Sequence, residues 1–402
     1  MYKWIDDSVR DIAENAKDRS LCAHCLGRTV AKAGSGMTNE ERGLEIADML
    51  GIDLASPCGL CNDVFRHVPR FATAVAEAIL TVESDNFLVG CRVDPDISDR
   101  EKAMWEEIGG ELAEPIKSEL NREIGKAALP LIDRAVEFKS PQVVAVLDTR
   151  FASVELDVAP VFIRGRYLKL SREIPQTVWP CRGCRGKGCP RCGDTGKMYS
   201  HSVQEEIGDP ALDMLDAKEH LFHGMGREDV DALMLGSGRP FIIELRQPRL
   251  REMDLDELER KVNCSEFVQV LELRLAQRSE VSAIKDATPS KTYRATVVTE
   301  GKVNKERVNE VAKSLTKLHI DQRTPSRVSH RRADLVRKRE IVSVEVEEVS
   351  EEGFTILLET ESGTYVKEFI SGDEGRTLPS FAAELGIPCR VETLDVVSIN
   401  DR

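Results

Sequence analysis

Apolar residues recur at helical spacing near the start of the chain. Val9, Ile12, Ala13 and Ala16 predict an amphipathic helix over about 5–20. Leu44, Ile46, Ala47 and Leu50 predict a second helix, capped by Asn39 and stopped by Gly51. A third follows from Phe71, Ala74, Val75, Ala78, Ile79 and Leu80, then a strand at 86–90, a long helical stretch at 99–137, and strands at 143–147 and 154–158. Beyond 160 short strands dominate. They are expected at 165–172, 241–245, 267–275, where apolar and polar residues alternate, and 291–298. Helices are expected from 202, interrupted at Pro210 on the way to His220, over 254–262, and after the cap Asn304, with Val308, Val311, Ala312, Leu315 and Leu318 on one face. Segments 341–349 and 354–360 predict a hairpin with Val342, Val344 and Val346 inward and Ser343, Glu345 and Glu347 outward. A strand over 362–370 and another over 394–399, closing the sheet, complete the pattern. The class is α+β: an α/β region followed by a mixed, mainly antiparallel sheet. Three parts are expected, 1–62, 63–160 and 161–402, the last with a cysteine-rich insert at 181–197.

At 402 residues the chain has room for such a division. With 56 Lys and Arg against 70 Asp and Glu, the net charge of −14 argues against indiscriminate binding of polyanions. A nucleic-acid partner would have to use local basic patches. Two stand out. Arg164, Arg166, Lys169 and Arg172 surround Tyr167, a set that suits either phosphate tracking with base stacking or a solvated strand edge. Segment 322–339 holds seven Lys or Arg against a single acid, Asp334. No run of eighteen apolar residues predicts a membrane span, and residues 1–7 lack a signal-peptide core, so the expected location is cytoplasmic.

Eight of the eleven cysteines fall in Cys-x-x-Cys pairs. Cys22, Cys25, Cys58 and Cys61, two knuckles separated by a helix, suit a closed tetrahedral structural zinc site. Cys181, Cys184, Cys189 and Cys192 lie in a glycine-rich stretch that can turn tightly around a second zinc ion. The same four also suit an iron–sulfur cluster, and similar repeats occur in zinc-dependent co-chaperones. Arg182, Arg185, Lys187, Arg191 and Lys197 make this insert locally positive. Cys91 is expected to be a small buried apolar residue. His220 and His223 have no paired-ligand spacing and are expected to be hydrogen-bonded or exposed.

The stretch with most chemistry is Gly226-Arg227-Glu228-Asp229-Val230-Asp231, a turn carrying carboxylates that leads through Leu235-Gly236-Ser237-Gly238-Arg239-Pro240 into an apolar strand. On residue types alone it is either a solvated charged loop or a catalytic acid on a rigid sheet. It resembles the catalytic-aspartate motif of the pseudouridine synthases. Together with the cysteine knuckles, 165–172, Lys291-Thr292-Tyr293, 322–334, 362–369 and Leu394, all in the expected order, it is similar to the archaeal and eukaryotic family that modifies the T arm of tRNA.

That resemblance implies an N-terminal zinc-binding, THUMP-containing α/β domain and a C-terminal pseudouridine synthase domain. It implies Asp229 as nucleophile, Lys367 as its ion-pair partner where other branches carry arginine, and Tyr293 stacked on a flipped uracil and assisting proton transfer. Substrate contacts would fall to Arg227, Tyr365, Val366, Leu394, Arg323, Arg327, Arg331 and Arg332. The partner would be tRNA, modified at uridines 54 and 55, with structural Zn²⁺, no catalytic cofactor and a monomeric enzyme. Two rivals remain: Asp229-x-Asp231 as a Mg²⁺ clamp for phosphoryl transfer, and a zinc-stabilised, non-catalytic RNA-binding or chaperone protein.

Overall fold

A computed structural model describes residues 2–331 and 333–401. The chain divides into two compact units, one of residues up to 159 with 247–251, the other of 160–246 with the remainder.

In the first unit the elements are α1 (Asp7–Ala16), α2 (Ala23–Arg28), α3 (Asn39–Leu50), α4 (Val68–Ile79), β1 (Asn86–Arg92), α5 (Pro95–Ile108), α6 (Ile116–Ile132), β2 (Ala135–Val136), β3 (Val143–Asp148) and β4 (Ser153–Val158). The sheet order is β2-β1-β3-β4, with β1 parallel to both β2 and β3 and β4 antiparallel to β3. Phe71, Val75 and Ile79 of α4 and Ile116, Leu120, Ile124 and Ile132 of α6 share one core with alternate residues of β1 and β3. Two expectations are corrected. The stretch at 99–137 is two helices, because Gly109 takes a positive φ of 84° that ends α5. Thr38 rather than Asn39 caps α3, through a reciprocal capping box with Glu41.

The second unit contains β5 (Val161–Lys169), α7 (Val203–Met214), β6 (Glu219–Gly224), β7 (Met234–Arg246), α8 (Leu255–Val262), β8 (Val268–Ala276), α9 (Arg278–Asp286), β9 (Ser290–Thr299), α10 (Lys305–Leu315), β10 (Leu318–Arg323), β11 (Val336–Ser350), β12 (Gly353–Thr360), α11 (Val366–Ser371), β13 (Thr377–Leu378), α12 (Phe381–Leu385) and β14 (Cys389–Asn400). Among the described residues its strands form one ten-stranded sheet, β13-β10-β11-β12-β9-β14-β7-β5-β8, with β6 paired on β7. All pairings are antiparallel except that of β14 with β7. The expected mixed, mainly antiparallel sheet is present.

The strand at 394–399 does not close this sheet but stands in its middle, joining two halves that each have their own core. The half-buried ring of Tyr293 packs against both cores. The close join needs glycine: Gly236 has φ +58°, and a Cβ there would lie 2.0 Å from the Val397 carbonyl oxygen. Segment 362–370 is not a strand. Val366, Phe369 and Ile370 are buried on one side of the short helix α11, ended by Gly372 at φ 82°. Val342 falls at a register shift between Ile341 and Ser343, so Ile341 takes the inward place expected of Val342. Leu318 opens β10 rather than extending α10.

Candidate active site

Asp229 sits on the loop between β6 and β7, and that loop is tied down from beneath by buried ions. Arg239, on β7, donates from Nε to Glu228 Oε2 (2.9 Å) and from Nη1 to the Met225 carbonyl (2.8 Å). The Arg239 and Glu228 side chains are each 1% exposed. Tyr167, fully buried on β5, donates its hydroxyl to Glu228 at 2.9–3.0 Å and accepts from Gln176 Nε2, which also holds the Gly226 carbonyl. Lys169, two residues on along β5, gives its amine to the carbonyls of Ile174, Asp229 and Val230. Burial lowers that amine to about 8 and, together with Glu228, pushes the Tyr167 phenol well up. Arg172 bonds the Asp231 carbonyl and Asp395, and Asp395 in turn accepts from the Leu233 amide.

The first basic patch is therefore neither phosphate-tracking nor a solvated edge. Arg166 is buried against the Ser237 and Gly238 carbonyls and Asp401, Arg164 is paired with Glu280, and Lys169 and Arg172 hold the aspartate loop.

Above this scaffold is a cleft of about 230 Å³ lined by Arg227, Glu228, Asp229, Ala232, Lys291, Tyr293, Arg327, Val328, the 363–367 turn and helix start, Leu394 and Val396. It opens at the seam between the two halves of the sheet. Asp229, with its side chain 46% exposed, has Oδ2 at 3.7 Å from both Lys367 Nζ and Arg327 Nη1. Lys367 lies closer to Asp231, at 3.0 Å. Burial works to raise the Asp231 carboxyl, but the hydrogen bond and charge of Lys367, with the Asp231 amide and Lys169, together hold the group low. Arg327 is shared with Glu368, a nearly buried carboxylate on α11, at 2.7 Å. Burial works against the Arg327 cation, and the bond and charge of Glu368 together with the charge of Asp229 more than offset it. Burial pushes the Tyr293 phenol up, which keeps it a hydrogen-bond donor at neutral pH.

The structure thus brings together Asp229, Tyr293, Lys367, Arg227, Tyr365, Val366, Leu394 and Arg327. Arg323 is elsewhere, bidentate on Asp334, which also takes Arg376. Arg332 and the side chain of Arg331 lie outside the described residues. Much of the basic run at 322–339 is answered by acids beyond it, Glu361 on Arg339 and Glu368 on Arg327. His220 bonds Asp209 and His223 bonds Glu244, and neither lines the cleft.

Sequence reasoning missed the supporting residues: Arg239 and Glu228 under the loop, Lys291 on the cleft wall, Glu368 behind Arg327, and Gln322. Gln322, 1% exposed, clamps Tyr365 by accepting from its amide (2.7 Å) and donating to its carbonyl (3.0 Å). The lysine of Lys291-Thr292-Tyr293 carried a signal, since period two puts it on the same face as Tyr293.

In each of the two cysteine groups the four sulfurs lie within 4.8 Å of one another. The separations between individual sulfurs include 3.8 Å for Cys22–Cys61, 4.0 Å for Cys181–Cys189, 3.9 Å for Cys184–Cys192 and 3.7 Å for Cys189–Cys192. Four thiolates about 2.3 Å from one tetrahedral ion would stand about 3.8 Å apart. Both sets fit a single metal ion; an iron–sulfur cluster, whose four thiolates are divided among two or four irons, requires wider spacing. Arg182, Arg185, Lys187 and Arg191 are exposed around the second set, while Lys197 pairs with Glu205.

No helix is long and apolar enough to cross a membrane among the described residues. A sequence profile described as Pus10, C-terminal matches residues 162–400, and one described as Pus10 THUMP domain, archaeal, matches residues 71–148. The chain is 40% identical to the tRNA pseudouridine synthase Pus10 of Methanothermobacter marburgensis over 98% of both chains. It is 39% identical to that of Methanopyrus kandleri over 97% of this chain and 98% of the relative. Among solved structures, a chain of the archaeal box H/ACA sRNP Nop10–Cbf5 complex aligns at 14% identity with a TM-score of 0.29, covering 49% of this chain and 44% of that one. So loose a likeness carries no argument.

Proposed function

Because this chain belongs to the Pus10 family of tRNA pseudouridine synthases, we propose that it isomerises uridine to pseudouridine in the T arm of tRNA, at positions 54 and 55, with Asp229 as nucleophile. The observation that carries this reading is one cleft holding a half-exposed aspartate, two cations within 3.7 Å of its Oδ2, and a half-buried tyrosine. The reaction breaks the N1–C1′ bond, turns the uracil, joins C5 to C1′ and removes the C5 proton. A flipped base is required, since none of these atoms is reachable inside a stack. Lys367 and Arg327 pair with Asp229 and aim it for attack. Tyr293 stacks on the uracil and helps move the C5 proton. Val366 and Leu394 wall the pocket and exclude water that would hydrolyse the intermediate. Arg227 and Tyr365 contact the nucleotide.

The Mg²⁺-clamp rival fares poorly, because the Lys367 ammonium already sits within ion-pair reach of both Asp229 and Asp231. Each cysteine set would hold a structural Zn²⁺, with no ion taking part in the chemistry. The enzyme would act as a cytoplasmic monomer on tRNA.

The test is to incubate the protein and Asp229→Ala with unmodified tRNA transcript in EDTA and map pseudouridine by carbodiimide-blocked primer extension. Stops in the T arm with the parent protein alone are expected. Tight tRNA binding with no stops from either protein would favour the non-catalytic RNA-binding reading.

A further inference from the structure

Lys291 is the cleft residue for which the reaction above has no use. It stands at the start of β9, two positions before Tyr293, so both side chains leave the same face of the strand, about 6.7 Å apart along it. Both line the cleft that holds Asp229. Its amine makes one long hydrogen bond, 3.4 Å to Ser362 Oγ. Arg239, Arg327 and Lys367 nearby each have a carboxylate, Glu228, Glu368 and Asp231, and the buried Lys169 amine has three carbonyls. Arg227, also on the cleft, is exposed.

Among the described residues Lys291 has no acid within ion-pair reach, and its strongest charged neighbour is another cation, Arg239. Burial first, and Arg239 second, lower the amine to about 8. Both groups face Gly226: a Cβ there would lie 3.3 Å from Arg239 Nη1 and 3.5 Å from Lys291 Nζ. A desolvated ammonium beside a second cation is costly, and an arriving anion offsets that cost. The substrate supplies such an anion at every nucleotide.

We propose that Lys291 Nζ receives a non-bridging oxygen of the phosphodiester flanking the target uridine, forming a phosphate subsite that draws the flipped nucleotide onto Tyr293. The inference rests on the reading that Asp229 and Tyr293 handle the base. The strand permits the geometry: a nucleotide's phosphate lies about as far from its base as these two side chains stand apart, so a base held at Tyr293 can place its phosphate at Lys291. Because phosphate is common to every nucleotide, this contact adds affinity and placement rather than a choice of base.

The experiment uses the full chain and tRNA assembled by ligation, with either a normal linkage or one uncharged methylphosphonate 5′ to the target uridine. The KM and kcat of the parent, Lys291→Met and Lys291→Arg are compared. Losing one charged, desolvated hydrogen bond should raise the KM of Lys291→Met roughly tenfold or more, with kcat nearly unchanged and Lys291→Arg partly restored. The methylphosphonate should raise the parent's KM by a similar factor and leave Lys291→Met no worse. Losses that multiply instead, a fall in kcat without a change in KM, or no effect of either change would overturn the subsite. Failure of the parent to form pseudouridine on the normal tRNA would defeat the synthase reading itself, and the subsite with it.

Discussion

Replacing Arg239 with methionine should unfasten the aspartate loop. The substitution keeps most of the side-chain volume but removes the two bonds that anchor the loop, Nε to Glu228 (2.9 Å) and Nη1 to the Met225 carbonyl (2.8 Å). Among the described residues it leaves the Glu228 carboxylate, 1% exposed, with the Tyr167 hydroxyl as its remaining donor and no cation within ion-pair reach. Breaking a buried pair from one side typically costs about 3–5 kcal/mol, because the surviving charge cannot rehydrate. Glu228→Gln added to Arg239→Met removes that stranded charge. The double variant should therefore be less destabilised than the sum of the singles, by roughly 2 kcal/mol. The assay is urea-dependent hydrogen exchange of β5 and β7 peptides, which reports the second unit without assuming that the whole chain unfolds in one step. Since Asp229 follows Glu228 directly, a shift of about 1 Å should also lower kcat by on the order of 100-fold. An Arg239→Met cost below about 1 kcal/mol, or strictly additive singles, would refute the idea that this pair holds the loop.

Chelation should strip two metal ions per chain, counted by elemental analysis. Cys58→Ser should expose the region around 20–62 to protease, because Cys25, Cys58 and Cys61 are part of the first unit's core. Cys189→Ser should loosen only 181–197, whose cysteines are outside both cores of the second unit, and leave its thermal melt nearly unchanged. Lys367→Met should lower kcat strongly with little change in tRNA affinity, and recovery of kcat in Lys367→Arg would identify the charge as what matters. Glu280 is held down to about 2, chiefly by Arg274 and also by the Gln277 amide and Arg164. A depressed carboxyl contributes stability above its ordinary value and loses it as pH falls through the depressed one. Glu280→Gln should therefore flatten acid unfolding between about pH 4.5 and 2, and an unchanged acid limb would contradict the assignment.

The residues that touch the cleft were mostly legible because they sit in motifs whose order along the chain is informative. Asp229, Tyr293, Lys367, Val366 and Leu394 reach one place although they come from a loop, two strands and a helix. The cysteine sets were legible because ligand spacing is local. What failed was whatever depends on partners distant in sequence. The cations at 164–172 looked like an exposed patch, since Glu280, Asp395 and Asp401 lie more than a hundred residues away. The run at 322–339 looked unneutralised because two of its acids, Glu361 and Glu368, lie in segments beyond it. Segment 362–370 misled by its β-branched and aromatic residues, which suit a strand, whereas Val366, Phe369 and Ile370 at spacings of three and four carry the helix. The place of 394–399 in the sheet was not readable at all, because strand order is decided by which edges remain to be paired, not by the strand's own residues.

The site separates two kinds of charge. Arg239, Glu228 and Lys169 are almost wholly out of solvent, and their bonds go to one another, to Tyr167 and to loop carbonyls, so changing any of them leaves an unpaired buried group. Asp229, Asp231, Lys367 and Arg327 are partly exposed and share partners: one lysine serves two aspartates, and one arginine serves Asp229 and Glu368. Shared, half-hydrated pairs are weak and exchange at little cost. On the mechanism proposed above, Asp229 would give up its negative charge on forming a covalent bond; Lys367 can then remain on Asp231 and Arg327 on Glu368, so neither cation is stranded. A nucleophile that must lose and regain its charge within each turnover is better served by such divided partners than by one tight buried pair, whose rupture would add several kcal/mol to the barrier. The buried ions fix where Asp229 is; the shared ones would let the charge of the proposed nucleophile come and go.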